Sequence, residues 1–279
     1  MSTTYQDAPV ALVTGASRGI GAAIRSQLLQ SGWRVIGLSR TVPQDKTVPQ
    51  DKTVPQDNLA APNTQSHWLA CDLSQAELLR HSVIEAAKHW GRLDALINNA
   101  GLHLSARSES LALADYDAVM NINTRALVVA CQAAFASLQI NGGCIINIGS
   151  FFDKLGVKGN LAYCASKAAV GAITRCLAVE WAVHKIRVVN IAPGYIHTDL
   201  NAEVLEGKLG QYLSQRIPSG GPGSAEEVAS LVGAVLQQPG MFLTGSTIYL
   251  DGGQATEPRT RHEDVQQDHP WRGRGLDQL

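Results

Sequence analysis

The sequence predicts an α/β fold in which one doubly wound parallel sheet of about seven strands is flanked by helices. Two observations carry this prediction. Short apolar runs alternate with stretches of helical periodicity along the chain. Most of the runs are nearly unbroken rather than alternating, as strands covered on both faces require. Repeated strand–helix units of this kind specify a parallel sheet.

Seven apolar runs are predicted strands, and the stretches between them contain the predicted helices. The spacing of Ser74 with Glu77 and of Ser224 with Glu227 predicts a capping box at two helix starts. The strands are expected at Val10–Thr14, Arg34–Leu38, His67–Cys71, Ala95–Asn98, Cys144–Gly149, Arg187–Ile191 and Thr247–Leu250. The helices are expected at Ile20–Ser31, Ala76–Trp90, Asp115–Leu138, Tyr163–Val183 and Ala225–Gln237.

The composition excludes several classes of protein. The 279 residues are 45% hydrophobic, which supports a sizeable core. The net charge of −1 provides no broad basic surface for nucleic acid or an anionic membrane. No apolar stretch reaches the roughly 18–20 residues of a membrane helix, and no secretory signal is visible. The five cysteines are scattered without a C-x-x-C pair, so we expect reduced thiols, no metal site and a cytoplasmic protein.

Two segments interrupt or extend the predicted domain, which covers residues 8–253 after a short N-terminal segment, 1–7. The hexad Thr-Val-Pro-Gln-Asp-Lys occurs twice over residues 41–52, and its first five residues occur again at 53–57. Only its valine offers a side chain to bury, so a solvated insert is expected. Residues 254–279 are polar and mixed in charge with little apolar periodicity, and they are expected to form a mobile tail.

A glycine-rich turn follows the first strand. Gly15, Gly19 and Gly21 have the spacing Gly-x-x-x-Gly-x-Gly, directly before the first helix. Glycines allow a tight turn there and let backbone N–H groups approach a phosphate at the positive end of the helix. The turn therefore predicts a dinucleotide-binding site.

The end of the second strand indicates which dinucleotide is bound. A fold that binds NAD places a carboxylate there, on the ribose 2′-hydroxyl, whereas this chain has Ser39 and Arg40. Arg18 in the glycine turn could approach the same region. Guanidinium groups bind a 2′-phosphate bidentately, so NADP(H) is favoured over NAD(H).

The second half of the chain contains candidates for proton transfer. Tyr163 and Lys167 are four residues apart and share a face of their predicted helix. A nearby positive charge favours the phenolate and is expected to lower the tyrosine pKa toward neutrality. Ser150 follows the fifth strand, at the sheet edge where such folds bind ligands. Asn123 lies in the preceding predicted helix, and Asn98-Asn99-Ala100-Gly101 follows the fourth strand.

These motifs, in this order, resemble the short-chain dehydrogenase/reductase family in its single-domain, Rossmann-like form, over about Val10 to Gly253. The resemblance also rests on Asp72, Pro193-Gly194 and Asp251-Gly252-Gly253. It implies a catalytic tetrad of Asn123, Ser150, Tyr163 and Lys167. Tyr163 would exchange a proton with the substrate oxygen, Ser150 would orient it, Lys167 would hold the nicotinamide ribose, and Asn123 would position a water.

The same resemblance implies the cofactor contacts. Asp72 would meet the adenine, Asn99 a ribose, and Ile196 and Thr198 the nicotinamide side. The full expected set is Gly15, Ser17, Arg18, Gly19, Ile20, Gly21, Ser39, Arg40, Asp72, Leu73, Asn99, Ala100, Gly101, Tyr163, Lys167, Pro193, Gly194, Ile196 and Thr198.

The expected reaction is hydride transfer between NADP(H) and a carbonyl or secondary alcohol of a small molecule. The substrate wall is expected from Phe151–Ala162 and Tyr195–Gln215. Alanine-rich helix faces, together with the resemblance, predict a homotetramer or homodimer; packing of those faces within a monomer is the alternative. Two other functions stay open: an NAD-dependent dehydrogenase of a sugar or cyclic alcohol, and a non-catalytic nucleotide-binding regulatory protein.

Overall fold

The computed structural model describes residues 8–42, 65–198, 207–238 and 240–255. The N-terminal segment 1–7, most of the hexad insert and most of the predicted tail lie outside these ranges. So do residues 199–206 of the second expected substrate segment.

The seven predicted strands form one parallel sheet in the order β3-β2-β1-β4-β5-β6-β9. A two-stranded ladder, β7 with β8, lies apart from it. The strands are β1 Val10–Thr14, β2 Arg34–Ser39, β3 Ser66–Ala70, β4 Ala95–Asn98, β5 Gly143–Ile148, β6 Ile186–Pro193, β7 Ile196–His197, β8 Gly223–Ser224 and β9 Thr247–Leu250.

Seven α-helices occur in the described part of the chain. They are α1 Gly19–Gln30, α2 Ala76–His89, α3 Leu113–Met120, α4 Ala126–Asn141, α5 Leu161–Trp181, α6 Lys208–Arg216 and α7 Ala225–Gln237. The sequence predicts one helix over Asp115–Leu138. In the structure that stretch is α3 and α4 joined by a π-helical turn, Asn121–Arg125.

Helices cover both faces of the sheet, which explains the unbroken apolar strands. Side chains of β1 alternate: Val10 and Leu12 pack into one core cluster with α2, α4 and α5. Ala11 and Val13 pack into the other with α1 and α7. The doubly wound parallel sheet predicted from the sequence is confirmed.

The two predicted capping boxes have different outcomes. At the start of α7, Glu227 N–H donates to Ser224 Oγ at 3.1 Å, and Ser224 N–H donates to Glu227 Oε2 at 2.7 Å. At α2 the capping box is wrong, because the N-cap is Gln75 and has no side-chain cap. Ser74 instead donates its N–H to Asp72 Oδ1 at 2.9 Å, in a turn that the carboxylate organises.

The strand order reverses between β1 and β4, whose neighbours lie on opposite sides. In open α/β sheets the crevice beyond the carboxyl ends of the strands at this point is where ligands bind. The glycine turn follows β1 and Asn99-Ala100-Gly101 follows β4. The fold therefore brings both motifs to one crevice.

Candidate active site

The glycine turn packs against the segment after β4. Gly15 has φ +64°, and a Cβ there would lie 3.0 Å from Ala100 Cα. A Cβ on Gly21 would lie 2.1 Å from the carbonyl oxygen of Gly15. A side chain at either position would require the backbone to shift. Within the described residues, the first turn of α1 carries no acidic side chain and its N-cap, Arg18, makes no side-chain cap. This glycine cradle at a helix N-terminus fits the phosphates of a dinucleotide.

Asn99 holds the cradle together. Its Nδ2 donates to the carbonyl oxygens of Thr14 at 3.0 Å and Gly15 at 3.2 Å. The hydroxyl of Thr14 accepts the N–H groups of Asn99 and Ala100, at 3.0 and 3.1 Å. The resemblance implies a ribose contact for Asn99. The structure shows its amide nitrogen fixing the backbone of the glycine turn.

Residues after the sixth strand also reach this turn. Thr198 lies against Gly19, since a Cβ on Gly19 would be 3.6 Å from the Thr198 methyl. Pro193 ends β6, and Gly194 N–H donates to Leu250 at 2.8 Å. Ile196 is buried in the short β7.

The expected adenosine end is partly organised. Ser39 is buried and its Oγ donates to the Thr41 carbonyl at 2.7 Å. Arg40 is exposed. Hydrogen bonds from Ser74 lower the pKa of the Asp72 carboxyl, with smaller contributions from Gln75 and the charge of Arg40. Arg40 therefore lies within electrostatic range of Asp72. No contact between described residues joins Arg18 to Arg40.

Ser150, Tyr163 and Lys167 converge beyond the carboxyl end of β5. The Ser150 hydroxyl is hydrogen-bonded to Tyr163. The ammonium of Lys167 lies 5.5 Å from the centre of the Tyr163 ring and donates to the Ile148 carbonyl at 2.9 Å. The first turn of α5 presents the tyrosine, and the next turn presents the lysine on the same face.

Burial controls the proton affinities of this pair. It raises the pKa of Tyr163 to about 12, and the hydrogen bond from Ser150 acts in the opposite direction. It lowers the pKa of Lys167 to about 8. The sequence predicts a lowered tyrosine pKa, but in the structure the shift is upward, because desolvation of the phenolate dominates. At pH 7, Tyr163 is protonated and most Lys167 is charged.

Asn123 lies in the π-helical turn and is buried. Its Oδ1 accepts from Leu102 N–H at 2.7 Å, and its Nδ2 donates to the Leu102 carbonyl and to Ser166 Oγ, each at 2.9 Å. The amide thus joins the loop after β4 to helix α5. π-helical turns are rare and often occur at functional sites. Nothing in the apolar periodicity distinguishes this turn from regular helix.

Four of the expected site residues, Leu73, Ala100, Asn123 and Lys167, line one pocket at the carboxyl ends of β1, β4 and β5. Gly101 lies between two tetrad members, since a Cβ there would be 3.5 Å from Asn123 Oδ1 and 3.7 Å from Lys167 Nζ. The pocket is lined in part by Thr14, Leu73, Asn98, Ala100, Asn123 and Lys167.

A buried chain of amides lies behind the pocket, and no pattern in the sequence predicts it. Asn98 Nδ2 donates to Asn147 Oδ1, and Asn147 Nδ2 donates to Thr174 Oγ1, each at 2.9 Å. Asn98 also contacts Cys131 Sγ at 3.3 Å. These contacts join β4, β5, α4 and α5 beneath the reacting groups.

Aromatic side chains flank Tyr163. The Phe152 ring lies edge-on to it with centroids 5.9 Å apart, and the Phe151 ring lies 5.4 Å from that of Tyr195. These residues belong to the two segments expected to form the substrate wall.

The described residues contain no group of three or more His, Cys, Asp or Glu side chains able to hold a metal. In the same ranges no helix is long and apolar enough to span a bilayer.

A family model described as short chain dehydrogenase matches residues 9–209. The chain belongs to the short-chain dehydrogenase/reductase family. It is 31% identical to D-threitol dehydrogenase of Mycolicibacterium smegmatis over 248 residues, covering 88% of this chain and 93% of the relative. It is 35% identical to carbonyl reductase family member 4 of Danio rerio over 244 residues, covering 88% and 97%.

Solved structures of similar proteins have the same fold. A blue fluorescent protein from a metagenomic library, solved in complex with NADPH, is 34% identical with a TM-score of 0.78, over 90% of this chain and all of that one. As a member of the family, this chain is an oxidoreductase of CH–OH groups that uses NAD(P).

Proposed function

We propose that this short-chain dehydrogenase/reductase transfers hydride between NADP(H) and a carbonyl or secondary alcohol, with Tyr163 as the general acid and base. The observation that carries the proposal is the convergence of Tyr163, Ser150 and Lys167 at the carboxyl end of β5. Lys167 also lines a pocket that Thr14, directly before the glycine turn, helps to form. The nicotinamide supplies or accepts the hydride, and the residues of the chain supply position and electrostatics.

Tyr163 holds the proton that the reaction needs. With a pKa of about 12 it is protonated at neutral pH, and an alkoxide is a stronger base than a phenolate. The Tyr163 Oη–H therefore donates to a developing alkoxide readily, which favours carbonyl reduction at pH 7. Ser150 Oγ, bonded to the same phenol, is in place to contact the substrate oxygen.

Lys167 contributes a positive charge and a fixed hydrogen bond. Its Nζ is tied to the Ile148 carbonyl at the end of β5, which limits its motion and keeps the charge near the phenol. The ammonium would also hold the nicotinamide ribose. Asn123 is hydrogen-bonded to Leu102 and Ser166. We therefore propose that it positions the loop after β4 against α5, in addition to its expected role of placing a water.

The preference for NADP(H) rests on the residues that end β2. Arg40 is exposed there, and the described residues at the end of β2, 39–42, carry no carboxylate to bind a 2′-hydroxyl. Asp72 interacts electrostatically with Arg40 and therefore offsets part of the attraction between the guanidinium and a 2′-phosphate. The related metagenomic protein was solved with NADPH.

An oligomer is proposed from the exposed apolar side chains of α4 and its neighbour α5. Ile140 on α4 is 73% exposed and Val179 on α5 is 79% exposed. Val183, just after α5, is 81% exposed. Covering these side chains removes apolar area from water, and light scattering of the purified protein measures whether it is a dimer or tetramer.

An NAD-dependent dehydrogenase of a polyol or sugar is the second candidate function. Its polyol substrate is favoured by the similarity to a protein named D-threitol dehydrogenase. A non-catalytic nucleotide-binding role is disfavoured by the complete set of reacting groups.

The test is a screen of ketones and alcohols with both cofactors, followed by absorbance at the nicotinamide band. We expect turnover with NADPH and a carbonyl substrate. Turnover with NADH alone would contradict the cofactor preference, and cofactor binding without turnover across the screen would contradict the catalytic proposal.

A further inference from the structure

The loop after Gly101 is held at both ends above the site. Asn123 holds both peptide groups of Leu102, through hydrogen bonds of 2.7 and 2.9 Å. Four residues later, Ala106 N–H donates to the Gly159 carbonyl at 3.0 Å, just before α5. The side chain of His103, between these two anchors, is therefore presented from a fixed segment of backbone.

His103 packs against the tyrosine proposed to transfer the proton. The ring centroids of His103 and Tyr163 lie 4.5 Å apart at an interplanar angle of 50°. Phe152 contacts Tyr163 as a second ring. Because both rings flank the phenol, we expect them to border a substrate whose reacting oxygen contacts Tyr163 Oη.

Asn160, the N-cap of α5, determines which nitrogen of His103 carries a proton. His103 Nε2 is hydrogen-bonded to Asn160 Oδ1. The orientation of that amide is fixed because Asn160 Nδ2 donates to the Lys158 carbonyl at 3.0 Å. Ser105 Oγ also donates to Asn160 Oδ1, at 3.2 Å. A carbonyl oxygen only accepts, so Nε2 of His103 is the donor.

The other nitrogen of the ring is then an acceptor. A neutral imidazole with its proton on Nε2 has a lone pair on Nδ1. Nδ1 makes no hydrogen bond with any residue that the structure describes. Burial and, to a smaller extent, the charge of Lys167 lower the pKa of His103 against the effect of Asn160. The ring is therefore neutral at pH 7, and Nδ1 is available to accept.

We propose that His103 is a specificity-determining residue whose Nδ1 accepts a hydrogen bond from a substrate hydroxyl on the carbon next to the reacting carbon. The preferred substrates are then vicinal diols and the corresponding α-hydroxy ketones, rather than alcohols and ketones with a single oxygen. This inference rests on the proposed oxidoreductase function and specifies its substrate class. A site built to hydrogen-bond a substrate hydroxyl discriminates strongly against the analogue that lacks it.

The experiment compares matched pairs of substrates: butane-2,3-diol with butan-2-ol, and cyclohexane-1,2-diol with cyclohexanol. For each pair we expect kcat/KM of the unmodified enzyme to be about ten-fold or more higher for the diol, from one net hydrogen bond. His103→Gln retains a donor toward Asn160 and loses the Nδ1 acceptor. His103→Phe retains the ring against Tyr163 and loses both nitrogens.

Both variants are expected to reduce the diol preference to within about two-fold of unity while they continue to oxidise the simple alcohols. The matched controls are His81→Gln and His81→Phe, since His81 is exposed on α2; these variants should keep the preference. No preference in the unmodified enzyme, or a preference that survives in His103→Gln, would overturn the proposal. So would an equal loss on both members of a pair, which is the result of a purely structural role.

The same assays separate this inference from the proposed function. Turnover of the simple alcohols without a diol preference overturns the role of His103 and leaves the oxidoreductase proposal in place. An unmodified enzyme that turns over no member of any pair, and no compound of the broader screen, overturns both.

Discussion

Gly21 stands where any side chain would collide with Asn99. A Cβ on Gly21 would lie 2.5 Å from Asn99 Nδ2, the same atom that donates to the Gly15 carbonyl. The first turn of α1, the glycine turn and the segment after β4 therefore meet with no space between them. This contact packs the glycine turn, the expected cradle for the cofactor phosphates, directly against the segment after β4.

Gly21→Ala is expected to lower the free energy of unfolding by about 1–3 kcal/mol, because backbone and Asn99 must move to admit the methyl group. It should also weaken NADPH binding. Chemical denaturation and fluorescence titration measure the two effects. The matched control is Gly233→Ala on α7, where a Cβ would meet only Gln27 Cγ at 3.8 Å. That change should be neutral or stabilise the protein by up to about 1 kcal/mol. Equal effects of the two substitutions would contradict the close packing.

Because two histidines are stacked on each other, we expect the protein to lose stability in mild acid. The rings of His67 on β3 and His89 on α2 lie 3.9 Å apart at 13°. Burial lowers the pKa of His67, and the charge of His89 lowers it further. Burial also lowers the pKa of His89, with Arg34 adding to the shift. Because both folded-state pKa values lie below the unfolded value of about 6.5, the stabilisation is present above pH 6.5 and is lost as the pH falls through the folded values.

The measurement is the melting temperature at pH 7.5 and pH 5.5. The decrease in melting temperature from pH 7.5 to pH 5.5 should be smaller in His89→Gln than in the unmodified protein, because glutamine takes up no proton at that position. His81→Gln changes an exposed histidine on the same helix and should keep the full drop. A drop of the same size in His89→Gln would show that the stacked pair does not cause it.

Arg40→Asp tests the cofactor preference. The unmodified protein is expected to bind NADPH at least about ten-fold more tightly than NADH, as one charge-assisted contact to a 2′-phosphate would produce. The substitution should narrow or reverse that ratio, because the carboxylate repels the phosphate and accepts from a 2′-hydroxyl. Arg216→Asp, at the end of α6, is the control and should leave the ratio unchanged. Equal affinities of the unmodified protein for both cofactors would contradict the preference.

The sequence predicted the sheet well because its strands are local features. Each strand is an apolar run that its own residues define, and all seven predicted runs pair in one parallel sheet. The capping box at Ser224 is equally local and was found. The capping box predicted at Ser74 is wrong, because the Ser74 N–H that Glu77 would accept in such a box donates to the Asp72 carboxylate instead.

What the sequence missed depends on contacts between distant parts of the chain. The amides of Asn98 and Asn147 are 49 residues apart, and the pattern of neither strand indicates that they pair. His103 and Asn160 are joined only by the fold. The spacing of Tyr163 and Lys167 predicts a lowered pKa for the tyrosine. Burial raises that pKa instead, and the spacing contains no information on burial.

Tyr163→Phe tests the central claim most directly, with turnover and NADPH affinity measured on the same preparation. The substitution removes one hydroxyl and retains the ring against His103 and Phe152. We expect turnover to fall by at least about a hundred-fold, the lower end of what general acid–base catalysis contributes, while NADPH affinity changes by less than about three-fold. Undiminished turnover in Tyr163→Phe would contradict the role of the phenol as the proton donor and acceptor.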